Sequence, residues 1–164
     1  MKNIIIDGYN LAHKHAEISA WLKKGDTDKT IHLLINWLIR GPVSKGNKII
    51  LVLDGKKGYF KEQTYSSSIK LIFSQKPQTA DDIIRNYIRN ASNPAELTIV
   101  SSDNEIIFTA KDHGAKAIKS EVFLKQYVKK TVLKKNRTSV SNEKYNPENI
   151  DVDYWLKQFG DDNS

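Results

Sequence analysis

No cysteine occurs in the 164-residue chain, which excludes disulfide frameworks and thiolate-held zinc. The absence suits a reducing compartment, and a cytoplasmic protein is the expectation. No apolar run approaches the length of a membrane helix, so no membrane role is expected. The apolar stretch after Lys2 is cut by Asp7 too early to serve as a signal peptide. There is no glycine-rich phosphate loop and no H-E-x-x-H pair, so neither a nucleotide cofactor nor zinc-protease chemistry finds support. A G-x-S-x-G nucleophile elbow is missing as well. No segment repeats another.

Positive charge is what the chain has in surplus. A formal net charge of +7 and a pI near 9.4 favour polyanionic partners, with nucleic acid ahead of anionic membrane because no strongly apolar amphipathic anchor accompanies the charge. A hydrophobic content of 39% is enough for one globular domain with a real core.

Residues 4–6, Ile4-Ile5-Ile6, form a short β-branched run that reads as a buried strand, and Asp7-Gly8-Tyr9-Asn10 follows it abruptly. Beyond it the composition predicts one helix over residues 11–24 and another from about 28, stopped by Gly41-Pro42. Strands are predicted over 48–53, 69–73, 97–100 and 115–118, with a polar loop over 56–68. Helices are predicted over 79–91, 104–113 and 121–130. Alternating strands and helices argue an α/β fold with a mainly parallel sheet covered on both faces.

From residue 131 a basic and polar linker is expected to 149, including Lys134, Lys135 and Arg137. Val152, Trp155, Leu156 and Phe159 then share one face of a short amphipathic helix over 150–160. Such a helix is too short to stand alone and should dock on the domain or a partner.

The predicted strands repeatedly end in acids: Asp7, Asp54 and Asp103, with Asp81-Asp82 opening the helix after the third strand. Right-handed crossovers bring these ends to one edge of the sheet. Oxygen ligands of this kind suit Mg²⁺ or Mn²⁺, and a metal there can acidify water and offset phosphodiester charge. Each acid also has an ordinary reading. Thr79-Ala80-Asp81-Asp82 and Ser102-Asp103-Asn104-Glu105 both fit a capping box, acids in a first turn complement the helix dipole, and Asp54-Gly55 fits a plain turn. Asp7 and Asp103 are harder to treat so, because each follows directly from a buried strand. The side chain of Asn10 is placed to donate to Asp7 and orient it, or else to close a local turn. His13 and His15 read as solvated or core histidines rather than catalytic ones.

Ile6-Asp7-Gly8-Tyr9-Asn10, Leu53-Asp54-Gly55, Thr79-Ala80-Asp81-Asp82 and Ser101-Ser102-Asp103-Asn104 together resemble the NYN branch of the PIN-like nucleases, and particularly its YacP-like members, over residues 1–130. The tail from 131 finds no support in the resemblance. The resemblance implies a PIN-like three-layer α/β/α sandwich with the five strands in the order 3-2-1-4-5. It also implies a metal-dependent endoribonuclease. Metal-binding acids carry over to Asp7, Asp81 and Asp103, and the amide to Asn10. Asp82 matches a second acid of some relatives, and Asp54 matches the YacP-like pattern. RNA turnover in bacteria and a ribosomal association are the implied setting, with single-stranded mRNA or rRNA as partner.

On this reading Mg²⁺ or Mn²⁺ sits on Asp7, Asp81 and Asp103, and Asp82 or Asp54 serves a second metal or orients the nucleophile. Lys56, Lys57, Lys61 and Arg85 are candidates to grip the RNA backbone, against a simple solvated surface. Rival readings are a non-catalytic RNA- or ribosome-binding module of the same fold, a PIN-type toxin nuclease held by a partner, and a nuclease directed at DNA.

Overall fold

The computed structural model describes residues 1–55 and 60–135. Along the chain run β1 (Lys2–Asp7), α1 (Gly8–Lys14), α2 (Ile18–Lys23), α3 (Thr27–Arg40), β2 (Asn47–Leu53), β3 (Glu62–Thr64), β4 (Ile69–Phe73), α4 (Ala80–Arg89), β5 (Leu97–Val100), α5 (Asn104–Asp112), β6 (Lys116–Ile118) and α6 (Ser120–Lys135). One sheet holds the strands in the order β3-β4-β2-β1-β5-β6. All neighbours pair in parallel except β3, which lies antiparallel on β4. The five expected strands therefore stand in the expected order, with β3 added at one edge.

Period-two alternation in the central strands explains the layers. Ile4 and Ile6 of β1, Ile49, Leu51 and Leu53 of β2 and Leu71 of β4 face a core shared with Leu11, Ile31, Leu34, Leu38 and Phe123 from α1, α3 and α6. Ile5, Val52, Ile72 and Ile99 point the other way, onto Ile83, Ile84 and Ile88 of α4 and Ile106 of α5. β1 is buried on both faces, which is why it reads as an unbroken apolar run rather than an alternating one. In parallel sheets covered by helices on both faces, ligands bind outside the carboxyl ends of the strands.

Several boundaries differ from expectation, each for a local reason. The helix over 11–24 is broken into α1 and α2. His15 Nδ1 accepts from the backbone N–H groups of Glu17 and Ile18, both at 3.3 Å, and so caps α2. Burial pushes the His15 imidazole down to about 4, and its ring meets Trp37 edge-on with centroids 5.3 Å apart. It is a neutral structural histidine, while His13 is solvent-exposed.

β3 falls inside the segment expected to be a polar loop. Its residues Glu-Gln-Thr carry no apolar alternation because they lie at an exposed sheet edge. α6 continues to Lys135, so residues 131–135 extend a helix where a linker was expected. Arg137 and the amphipathic segment at 150–160 lie outside the described residues. No described helix is long and apolar enough to cross a membrane.

Candidate active site at the carboxyl edge of the sheet

β1 delivers Asp7 to the carboxyl edge with 9% of its surface exposed. Its Oδ2 accepts a 2.9 Å hydrogen bond from Ser101 Oγ, at the end of β5, and its Oδ1 a long 3.5 Å bond from Asn10 N–H. Burial, opposed by these bonds and reinforced by the charges of Asp81 and Asp54, pushes the Asp7 carboxyl up to about 6. The chain must turn at once into α1. A Cβ on Gly8 would run into the buried Leu53 side chain of β2, so only glycine lets α1 start this close to the strand.

Ser101 is buried and links two acids. While its hydroxyl donates to Asp7, its Oγ accepts from the Asp103 N–H at 3.1 Å. Asp103 caps α5, with Oδ1 accepting from Glu105 N at 2.8 Å and Ile106 N at 3.1 Å. Both bonds fall on Oδ1. The capping box expected at Ser102 is not formed: Asp103 is the cap, and Ser102 Oγ donates instead to Glu121 Oε2 at 2.6 Å.

Asn10 is tied into the same corner, but not as expected. Its Oδ1 accepts from Ser102 N–H at 2.9 Å and from Ser120 Oγ at 2.7 Å. A backbone N–H can only donate, so the amide oxygen must face it. The side chain of Asn10 therefore joins α1 to β5 and α6, and Ser101 is the group that orients Asp7. Ser120 N–H donates to Ser102 Oγ, and Lys14 pairs with Glu121 at 3.2 Å. The Ser102 hydroxyl, the backbone N–H of Glu121 itself and Lys14 hold the Glu121 carboxyl down to about 2.

Asp54 and Asp81 complete the edge from the other side. Asp54 is exposed, and its Oδ1 accepts from Ser74 Oγ at 3.1 Å and Ala80 N–H at 2.8 Å, tying β2 to the start of α4. Gly55 is obligatory beside it, because a Cβ there would strike the Ser74 carbonyl oxygen. Asp81 is half-buried. Burial first, then the charge of Asp103, raise its carboxyl; Arg85 opposes this, while Asp54 and Asp82 add to it.

Asp82 belongs to the helix terminus. It accepts from Thr79 N–H and Thr79 Oγ1, both at 2.9 Å, in a complete capping box that holds its carboxyl below the usual range. Arg85 reaches Glu105 Oε2 at 2.7 Å. Lys61 lines a separate groove of about 770 Å³ along the other flank of α4, with Tyr87 and Ile72. Lys56 and Lys57 lie outside the described residues.

Asp7, Asp54, Asp81 and Asp103 thus share one electrostatic neighbourhood, since each of the raised carboxyls is raised in part by another of them. Their oxygens are the hard donors that Mg²⁺ and Mn²⁺ take. Among the described residues no three acidic or histidine side chains are gathered closely enough to form a ready-made metal cage. The set fits an ion held by one or two carboxylates and completed by water.

Over residues 4–158 the sequence matches the YacP-like NYN domain. The chain belongs to that family. The YacP-like NYN family is nuclease-like and related to RNA, and its match extends well into the tail, which the motifs alone left unsupported. The fold is similar to the crystal structure of Rae1 (YacP) from Bacillus subtilis, with a TM-score of 0.64 at 23% identity over 84% of this chain and 80% of that one. A mutant of the same protein gives a TM-score of 0.65 at 18% identity, covering 87% and 86%. No curated protein sequence matches the chain.

Sequence reasoning missed Ser101 as the link between acids, and Ser120, Glu121 and Lys14 as the frame around Asn10. Two serines directly after a buried strand were a usable signal for the first. Nothing local marked the others, whose partners lie up to 110 residues away.

Proposed function

We propose that this YacP-like NYN protein is a metal-dependent endoribonuclease that hydrolyses phosphodiester bonds of single-stranded RNA. RNA turnover or cleavage of mRNA at the ribosome in a bacterial cytoplasm is its proposed setting. The observation that carries the reading is Asp7. A carboxylate held in place by Ser101 and raised to about 6, by burial first and then by the charges of Asp81 and Asp54, is an unfavourable arrangement that a cation would relieve.

Asp7, Asp81 and Asp103 would hold Mg²⁺ or Mn²⁺, one or two of them directly and the rest through bound water. Bound there, the ion supplies positive charge that acidifies water and offsets charge on the phosphate. The protein's own groups do the rest. Ser101 fixes the Asp7 carboxylate by donating to one oxygen, and the Asn10 amide locks the turn after β5 so that Asp103 keeps its position. Asp54, tied to Ser74 and Ala80 through one oxygen, would orient water or steady a second ion. Asp82 caps α4 through one oxygen and adds its charge to the field at Asp81.

A second reading has one observation in its favour: the acids do not form a closed metal cage, as in a module that binds RNA without cutting it. Calorimetric titration with Mn²⁺ separates the two. The nuclease reading expects Mn²⁺ binding that Asp7→Asn removes, with Mn²⁺-dependent cleavage of single-stranded RNA lost in the same variant. Unchanged cleavage by Asp7→Asn would sink the assignment.

A further inference from the structure

α4 and α5 lie side by side and both begin at the acidic edge, so the furrow between them starts at the candidate site and runs away from it. On α4, Asp81, Arg85 and Arg89 fall at i, i+4 and i+8 and so share one face. On α5, Asn104 and Phe108 fall at i and i+4, directly after the cap Asp103. Arg85, Arg89, Asn104, Glu105, Phe108 and Thr109 line an open groove of about 490 Å³. One turn along α4, about 6 Å, the charge changes sign from Asp81 at the edge to Arg85, which Glu105 of α5 partly offsets.

Phe108 is 72% exposed on the wall of this groove. A lone exposed phenylalanine needs no explanation. One facing two arginines in a groove that leads to an acidic edge has the makings of a single-strand site, in which guanidinium groups track phosphates and a ring stacks on a base. The ion pair between Arg85 and Glu105 bridges the groove, and Glu105 is 81% exposed on its side chain. The Arg85 side chain is only 24% exposed, so Glu105 is the end that swings free into solvent, and a phosphate can take the place of its carboxylate on Arg85. Arg89 acts on Asp82 only through its charge, while its side chain stays exposed.

We propose that the α4–α5 groove binds the stretch of single-stranded RNA adjoining the scissile phosphate, with Arg85 and Arg89 on the backbone and Phe108 stacked on one base. The proposal rests on the acidic edge acting on RNA. It adds a recognition surface, distinct from the acids, that requires unpaired bases.

The test is equilibrium binding of the full chain to a labelled single-stranded RNA and to an RNA duplex of equal length. EDTA is present, so that the result does not depend on metal or cleavage. Phe108→Ala should weaken single-strand binding about tenfold, the effect of one base–aromatic stack, and leave duplex binding unchanged. Phe108→Tyr should retain the wild-type affinity and Phe108→Leu should not, which separates stacking from apolar contact. Arg89→Ala should lower affinity for RNA of any sequence and flatten the dependence of log K on log salt by about 0.7. Glu105→Gln should tighten binding by freeing Arg85.

Unchanged affinity in both Phe108→Ala and Arg89→Ala overturns the proposal and turns attention to a protein as occupant of the groove. Equal loss of single-strand and duplex binding in Phe108→Ala overturns the stacking role. Should cleavage never be observed while these binding effects appear, the nuclease reading fails and the groove stands. Should cleavage depend on Asp7 with no effect at Phe108 or Arg89, the reverse holds.

Discussion

On the β1–β5 side of the acidic edge, Asp103, Ser101 and Asp7 form a continuous run of hydrogen bonds, framed by Asn10 of α1, Ser102 in the turn after β5, and Ser120 and Glu121 of α6. On the α4 side, Asp54 and Asp81 are more open to solvent. Asp54 is held through one oxygen, and Asp82 is turned into a helix cap. The first side is wired through the buried Ser101 and Ser120 and the half-buried Asn10 and Ser102. The second rests on a helix terminus and a loop. The difference suggests a division of labour, in which the wired side fixes one carboxylate and the open side adapts to ion, water and substrate. A preorganised anchor opposite a compliant partner meets the positional demands of phosphodiester chemistry without requiring every ligand to be rigid.

The strongest way to break the comparison is to neutralise its anchor. Asp7→Asn should reduce RNA cleavage by well over about a hundred-fold, since even groups that only support metal ligands typically contribute 10–100-fold. The same substitution should make the protein more stable. The folded pKa of Asp7 is raised to about 6 from 3.8. The folded state therefore holds the Asp7 proton more tightly than the unfolded chain. Its penalty is absent below about pH 3.8 and complete above about pH 6, where it amounts to about 3 kcal/mol. Urea denaturation without metal should show the variant more stable at pH 8 and the two proteins converging near pH 4. Equal stability at pH 8 would show that Asp7 is not under this strain.

Ser101→Ala tests the wiring itself. It removes the donor that favours the Asp7 carboxylate, so the apparent pKa of the acid limb in the cleavage profile should rise. Cleavage should fall by about 10–100-fold with little change in KM. An unshifted pH profile would reduce Ser101 to a packing role.

Asn10→Ala leaves the Ser102 N–H and Ser120 hydroxyl without their acceptor and should cost about 1–3 kcal/mol in urea denaturation. Asn10→Asp keeps an acceptor there and should recover part of that loss. On the open side, Thr79→Ala removes the α4 cap and should cost only about 1 kcal/mol, with cleavage nearly intact. A large loss of cleavage in Thr79→Ala would mean that the start of α4 is as tightly specified as the β1–β5 corner.

Most of the architecture was legible because each central strand is a short apolar run, rich in isoleucine, leucine and valine, that stops abruptly at polar residues. The spans 69–73 and 97–100 coincide with β4 and β5. What escaped was governed by neighbours. β3 has no apolar pattern because it pairs through its backbone at an exposed edge. The break between α1 and α2 depends on a buried histidine that exchanges the role of helix residue for that of cap. At the site, the acids could be picked out because a carboxylate following a buried strand is costly wherever it points. The side chain of Asn10 bonds Ser102 and Ser120 rather than Asp7, and nothing in local spacing signals a bond to a serine 110 residues later.

By itself the sequence determined that strands would alternate with helices, that their carboxyl ends would carry Asp7, Asp54 and Asp103, and that the chain would be basic around them. These follow from local propensity, periodicity and right-handed crossover. Only the tertiary structure decided that Ser101 rather than the Asn10 side chain holds Asp7, that Asn10 bonds Ser102 and Ser120 instead, and that Phe108 stands exposed on the groove it lines with Arg85 and Arg89. Those outcomes depend on which groups meet across the sheet and between helices. Hydrogen-bond partners, burial and the resulting carboxyl pKa values are properties of such meetings and not of any segment alone.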